Sequence, residues 1–281
     1  MTTSPQSART LAGIAGPIVL VGAGKMGGAM LEGWLALGLP ANAAVAVELQ
    51  PSRELSALAS RGLRLNPVPA SVGEAAAIVL AVKPQVAPEV IPALAPYLGA
   101  GTVVLSIMAG RTLAFLEQAL AQRAAVVRAM PNTPASIGRG ITVAVPNVKV
   151  SQRQRELVHA LLAATGAVEW ITDERLMDAV TAVSGSGPAY VFLLAEVLAS
   201  AGVASGLPPE LAAKLARATV SGSGELMHRS SADPATLRQN VTSPGGTTAA
   251  ALDVLMAPDG FEAQMRAAVA AATRRSRELA G

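Results

Sequence analysis

The sequence predicts an α/β chain in which a doubly wound parallel sheet is followed by an all-α segment. Two features of its organisation predict this. Up to about residue 170, short and mostly continuous apolar runs alternate with helical patterns, as expected for strands covered on both faces and joined by crossover helices. From about residue 171 the spacing becomes helical throughout. The expected division is a polar, disordered extension over 1–15, a sheet domain over 16–170 and a helical domain over 171–281.

The first run, 18–21, enters Val21-Gly22-Ala23-Gly24-Lys25-Met26-Gly27, and an amphipathic helix carrying Met26, Met30, Trp34 and Leu35 follows. A strand, then G-x-G-x-x-G, then a helix is the context that makes this motif a dinucleotide-binding turn and the sheet domain Rossmann-like. Gly22 permits the tight turn, Gly24 the approach of a pyrophosphate, and Gly27 close packing of helix on strand. The helix start offers unpaired N–H groups to the phosphates.

The second run, 45–48, ends at Glu48, where an acid can bind the ribose 2′-hydroxyl of NADH. Ser52 and Arg53 follow closely and could hold the 2′-phosphate of NADPH, so use of either cofactor is expected. The third run, 76–82, stops in Ala81-Val82-Lys83-Pro84, and the fourth, 102–107, in Ile107-Met108-Ala109. The fifth, 125–130, meets Pro131-Asn132-Thr133-Pro134, and the sixth covers 141–145. Ligands of doubly wound sheets bind outside the carboxyl ends of the strands, which is where this loop chemistry lies. At Lys83 a fixed backbone bend is favoured over a catalytic side chain. Asn132 either orients the nicotinamide ribose or caps its turn, and Arg128 is expected to point its head out of the strand.

Helical patterns cover 174–183, 188–202, 209–228 and 259–279, the last with Asp259 and Glu262 as an acidic capping box. Their Ala-rich apolar faces suit a subunit interface, so an oligomer with a dimer as its minimum is expected. Tyr190, spaced with Leu193 and Leu194, reads as core.

Composition excludes several classes. Half of the 281 residues are hydrophobic, and the net charge is only +3. The basic residues form no long run; Arg274, Arg275 and Arg277 suit a helix C-terminus. With seven aromatics and no basic–aromatic interleaving, nucleic acid is not an expected partner. The absence of cysteine removes disulfides, thiolate catalysis and zinc–thiolate sites, and fits a cytoplasmic protein. His159 and His228 stand outside any motif, so no metal is expected. The charge-free stretch 11–24 contains Gly13, Gly16 and Pro17 and runs into the nucleotide turn, unlike a signal peptide. The stretch 90–110 is broken by prolines and glycines, so no membrane span is expected there.

Three segments interrupt the pattern: Val127-Arg-Ala-Met-Pro-Asn-Thr-Pro134, Val183-Ser-Gly-Ser-Gly-Pro-Ala-Tyr190 and Thr242-Ser-Pro-Gly-Gly-Thr-Thr248. The last two place small residues and hydroxyls at helix starts. Singly, Ser186 with Pro188, and Thr247 or Thr248, could be ordinary capping residues. Together, beside a nucleotide fold, they suggest a pocket for a small carboxylate.

These segments, in this order behind the G-x-G-x-x-G start and Ala81-Val-Lys-Pro84, resemble pyrroline-5-carboxylate reductase from residue 17 to the end. The resemblance implies reduction of 1-pyrroline-5-carboxylate to L-proline by NADPH or NADH. It implies that Asn240 and the 243–248 loop cover the active site. Ser243, Gly245, Gly246, Thr247 and Thr248 would contact substrate there, with Glu174 as a further substrate-contacting acid. Cofactor contacts would fall on 21–26, 81–84, 107–109 and Asn240, and the helical domain would form a dimer, in that family sometimes assembled further into decamers.

The chemistry agrees. A protonated cyclic imine accepts hydride readily, so the chain must mainly position the reactants and neutralise a carboxylate. Thr248 is assigned the hydrogen bond to the ring nitrogen, as donor or relay. A β-hydroxyacid dehydrogenase would need a lysine in the helix after Gly187, and Pro-Ala-Tyr-Val-Phe-Leu-Leu-Ala-Glu has none. A non-catalytic nucleotide sensor, or a reductase of a related cyclic imine, is the alternative.

Overall fold

The computed structural model describes residues 11–280 apart from 15 and 123; residues 1–10 and 15 of the extension expected over 1–15 lie outside the described residues. Eight strands form one sheet in the order β3-β2-β1-β4-β5-β6-β7-β8. They are β1 (Ile18–Val21), β2 (Ala44–Val47), β3 (Arg64–Leu65), β4 (Ala77–Leu80), β5 (Val103–Ser106), β6 (Ala125–Met130), β7 (Gly140–Pro146) and β8 (Gly166–Trp170). The helices of this part are α1 (Lys25–Ala36), α2 (Arg53–Ala59), α3 (Ala87–Val90), α4 (Leu113–Ala119), α5 (Gln152–Ala163) and α6 (Met177–Val180).

Strands β1 to β6 are parallel, with β1 hydrogen-bonded to both β2 and β4. Strand order therefore reverses beside β1, and a ligand crevice opens at its carboxyl end. Alternate residues of each strand point to opposite faces. Ile18 and Leu20 join Met30, Trp34, Val79, Leu105 and Leu161 on one side. Val19 and Val21 join Ile78, Leu80, Ile91, Val104 and Leu116 on the other. Trp34 is fully buried and donates its indole N–H to the Leu161 carbonyl at 2.8 Å, joining α1 to α5. Trp34→Ala is expected to lower the unfolding free energy by about 3–5 kcal/mol, measured by denaturant titration.

Several expectations change. Leu11 is only 1% exposed and its N–H donates to the Leu37 carbonyl at 2.9 Å, so it belongs to the fold rather than to an extension. Strand β7 runs antiparallel to β6, because residues 133–137 form a short 3-10 helix instead of a crossover helix. Strands β3 and β8 were not expected.

The glycine-rich segment 183–190 is not a loop. A π-helical turn over Thr181–Gly185 leads directly into α7 (Gly187–Ala204), and Ser186 makes no side-chain cap. By contact density the described residues divide into one unit up to Gly185 together with 274–280, and a second over 186–273.

The second unit contains α7, α8 (Pro209–Arg229), α9 (Pro234–Asn240), α10 (Thr247–Leu255) and the start of α11 (Phe261–Ala280). Helix α7 packs on α8 where Gly202 faces Ala212: a Cβ on Gly202 would lie 3.2 Å from the Ala212 Cβ. Most of α7 is uncovered; Phe192 is 62% exposed, and Leu193, Leu194 and Val197 are exposed as well. Tyr190 is half-buried, so it is not the core residue its spacing suggested. The capping box is also absent: α11 starts at Phe261, leaving Asp259 outside, and Glu262 pairs with Arg266 instead. Near the end of the chain, Arg275 pairs with Glu278, and Ser276 donates to Asp178 at 2.7 Å.

Candidate active site

The turn after β1 has the geometry its glycines require. Gly22 stands at φ +90°, and a Cβ there would lie 2.8 Å from the Ala81 carbonyl oxygen. On Gly27 a Cβ would lie 2.1 Å from the Gly22 carbonyl oxygen, so α1 sits as close to β1 as a bare backbone permits. Around Gly24 the space is open, and no side chain caps α1. An open glycine at an uncapped helix start is a cradle for phosphate oxygens, so the residues present fit a dinucleotide.

Glu48 is turned toward this cradle. Its Oε2 accepts the Ala23 N–H at 2.7 Å and its Oε1 the Gln50 N–H at 3.0 Å. The Asn66 amide, at φ +46°, fixes Glu48 further by accepting its N–H and donating to its carbonyl. Ser52 Oγ accepts the Leu55 N–H as the cap of α2, and Arg53 lies exposed beside it. A 2′-phosphate at the end of β2 would meet the Glu48 carboxylate, and like charges in contact are costly. Glu48→Ser is expected to raise the NADPH-to-NADH ratio of kcat/KM by about tenfold or more, measured with the two cofactors in parallel.

A cavity of about 430 Å³ opens beside the turn at the carboxyl ends of β4, β5 and β6. Its walls are Gly24–Met26, Ala81–Pro84, Ile107–Ala109, Met130–Thr133 and Gly185. A larger hollow of about 740 Å³, lined by Leu11, Thr102 and Ala125 among others, lies where strands begin and holds none of the expected site residues. The smaller cavity is the candidate site, because the ligand crevice of such a sheet lies at the carboxyl ends.

The loops around it are fastened by backbone and arginine contacts. Lys83 is exposed, and Pro84 begins a 3-10 turn whose carbonyl accepts from Arg111 Nη2 at 2.7 Å and Nε at 3.0 Å. Arg111 also stacks 4.5 Å from the centroid of the Phe115 ring. Asn132 neither caps its own turn nor stays free: its Oδ1 accepts the Ile141 N–H at 3.0 Å, tying the loop to β7.

Arg128 overturns its expectation. Its side chain is 5% exposed and its Nη1 lies 2.7 Å from Glu174 Oε1. The same oxygen accepts the Leu113 N–H at 2.8 Å, so Glu174 is committed to two partners within its own unit. Sequence reading turned Arg128 the wrong way, did not single out Arg111, and quoted the segments holding Met130, Pro131, Thr133 and Gly185 without making those residues cavity walls. An arginine inside an apolar strand was itself the signal, because a buried charge requires a partner. The Ser184 hydroxyl, in the π turn, is buried with no hydrogen-bond partner among the described residues.

In the second unit, α9 ends at Asn240, and the 241–246 segment leads into α10 with Gly246 at its N-cap. Asp233 caps α9. The Thr236 backbone N–H, then the Thr236 hydroxyl, hold its carboxyl below the usual carboxylate range. That cap is complete at neutral pH and is lost as pH falls through the lowered value. Gly245 takes φ +70°, and Ser243 and Thr247 are exposed. The hydroxyls of Ser243, Thr247 and Thr248 make no hydrogen bond among the described residues and cap nothing.

A doubly wound sheet with this turn and this cavity defines a dinucleotide-binding protein. A family model described as pyrroline-5-carboxylate reductase dimerisation matches residues 174–279, and one described as NADP oxidoreductase coenzyme F420-dependent matches 17–110. The pyrroline-5-carboxylate reductase of Pseudomonas aeruginosa is 42% identical over 266 residues, 94% of this chain and 96% of that protein. That of Synechocystis is 47% identical over 203 residues, 72% of this chain and 74% of that protein. Among solved structures, the reductase of Coxiella burnetii superposes with a TM-score of 0.87 at 32% identity, covering 95% of this chain and all of that one. The Plasmodium falciparum reductase with NADP bound gives 0.79 at 30% identity, over 94% of this chain and 98% of that one. The chain belongs to the pyrroline-5-carboxylate reductase family.

Proposed function

We propose that this chain reduces 1-pyrroline-5-carboxylate to L-proline with NADH or NADPH. One observation carries the reading: a member of this family combines an open dinucleotide turn with a loop whose Ser243, Thr247 and Thr248 hydroxyls are uncommitted to the fold. The reduced nicotinamide, when bound, supplies a hydride to the ring C=N carbon. Val21–Gly27 hold the pyrophosphate, and Glu48, Ser52 and Arg53 meet the adenosine ribose. Residues 81–84, 107–109 and Asn132 line the remaining length of the cofactor.

Ser243, Gly245, Gly246 and Thr247 bind the substrate carboxylate by N–H and hydroxyl groups at the start of α10. Thr248 hydrogen-bonds the ring nitrogen of the protonated imine; the hydride adds to the neighbouring carbon, the C=N π electrons return to nitrogen as a lone pair, and the neutral ring amine so formed takes up a proton from water. Asn240, at the end of α9, is a further contact of the cofactor. No acid, base or metal of unusual strength is required, because a protonated imine is already an electrophile; orientation and charge compensation are what the protein supplies.

The uncovered face of α7 is the proposed homodimer interface, with a pair of chains as the minimum assembly and decamers as a multiple of it. The helical run Glu174–Ala204 is long and apolar enough to cross a membrane by length and composition. Glu196 in its midst, the π turn and the family's dimerisation segment favour a subunit interface in a cytoplasmic enzyme. Light scattering is expected to give the mass of two chains or a multiple of it.

The activity is tested by incubating the protein with pyrroline-5-carboxylate and NADH or NADPH while following the absorbance of the reduced nicotinamide. Substrate-dependent loss of absorbance is expected. Tight nucleotide binding without turnover would instead support the sensor or another imine.

A further inference from the structure

We propose that the Arg128–Glu174 pair is a positioning device that holds the nicotinamide end of the cofactor cavity, and that Glu174 acts through the fold rather than by touching substrate. The inference rests on the reductase reading for the identity of the ligand and on the geometry of one unit for everything else.

Three separated stretches of chain build the far end of the cavity, and this single carboxylate ties all three. Arg128 lies on β6, two residues before Met130, so the two side chains leave the same face of the strand. Met130 is a cavity wall. Leu113, whose N–H Glu174 accepts, begins α4 at the end of the short 110–112 turn that follows the Ile107–Ala109 wall. Glu174 itself begins the helical run through α6 and the π turn to Gly185, the third wall. Gly185 packs so closely on Met130 that a Cβ would lie 2.5 Å from the Met130 Cε, which couples the first stretch to the third.

The surroundings make the tie rigid. Val143, Val145 and Met177 form a buried apolar cluster, and Leu113 and Met130 pack against it. In an apolar setting Arg128 cannot lose its partner without leaving a buried charge uncompensated, so the pair is held to one arrangement. The strand order assigns the end it serves: Glu48 and the glycine turn follow β2 and β1, at the adenosine half, whereas β5 and β6 lie beyond β4. The nicotinamide is the part that remains.

The test separates positioning from substrate contact and from plain stability. Three variants are compared with the unmodified protein: Glu174→Gln, which keeps an acceptor; Arg128→Lys, which keeps the charge; and Arg128→Met with Glu174→Met, which removes both charges at once. Binding of NADH and of ADP-ribose is titrated for each, alongside kcat and both KM values. Positioning predicts that the double variant, folded by circular dichroism, keeps its ADP-ribose affinity but binds NADH several-fold more weakly. Its kcat falls by about tenfold to a hundredfold, the effect of a reactant misplaced by about an ångström. Glu174→Gln and Arg128→Lys are expected to lie between it and the unmodified protein.

A rise in the KM for pyrroline-5-carboxylate alone, with NADH binding and kcat unchanged, would overturn the proposal in favour of substrate contact. A lower melting temperature with unchanged kinetics and binding would overturn it in favour of a structural role. The binding titrations need no turnover, so failure of the proposed activity and failure of this inference are told apart.

Discussion

Gly27→Ala is expected to weaken dinucleotide binding by about a hundredfold, the scale of an ångström-sized misplacement. The added methyl would stand 2.1 Å from the Gly22 carbonyl oxygen and 3.1 Å from the Ala81 Cβ. Neither can yield easily. Gly22 is held at φ +90° with its N–H donating to the Val47 carbonyl at 2.9 Å, and Ala81 donates to the Val21 carbonyl at 2.8 Å. Helix α1 must therefore retreat from β1, carrying Lys25 and Met26 away from the cavity they line. Overpacking of this kind also costs about 1–3 kcal/mol of stability.

Gly28→Ala is the control. A Cβ there meets only the Ala23 carbonyl oxygen at 3.6 Å, an ordinary contact, and alanine is the better helix former. Titration of NADH into both variants should leave Gly28→Ala near the unmodified protein. Equal affinities for the two would contradict the role given to close packing at Gly27.

Thr248→Ala carries the second large effect, a fall in kcat/KM of about a hundredfold with folding intact. A hydrogen bond donated to the ring nitrogen strengthens as the arriving hydride restores the nitrogen lone pair, so it is worth most in the transition state and kcat should fall along with kcat/KM. The fold should be indifferent. Thr248 lies in the first turn of α10, its hydroxyl makes no hydrogen bond among the described residues, and alanine suits a helix. Kinetics identical to the unmodified enzyme would retire the assignment.

The sheet and its ligand end were legible because strand periodicity and turn chemistry are local. The run 18–21 with its glycine motif placed β1 and α1 together, and Lys83-Pro84 and Ile107–Ala109 fell on the cavity wall. What was missed depends on contacts distant in sequence or on strands too short to show a pattern. Arg64–Leu65 is a two-residue strand with no periodicity of its own, and β8 alternates exposure as an edge strand, unlike the buried runs before it. Arg128 and Glu174 are 46 residues apart, so nothing local announces their pairing. The glycines and serines of 183–190 read as a loop, yet a π turn satisfies the backbone there and the helix continues. Asp259 had the right chemistry for a cap but the helix began two residues later, at Phe261.

The reductase reading requires this chain to deliver hydride to the C=N carbon of a cyclic imino acid. Turnover of pyrroline-5-carboxylate with a reduced nicotinamide carrying deuterium at the transferable position, read by mass spectrometry of the product, follows that transfer itself. The expected product is proline bearing a single deuterium on the ring carbon that was the C=N carbon, formed in step with cofactor oxidation. Unlabelled proline, or cofactor oxidised without proline, would contradict the reading.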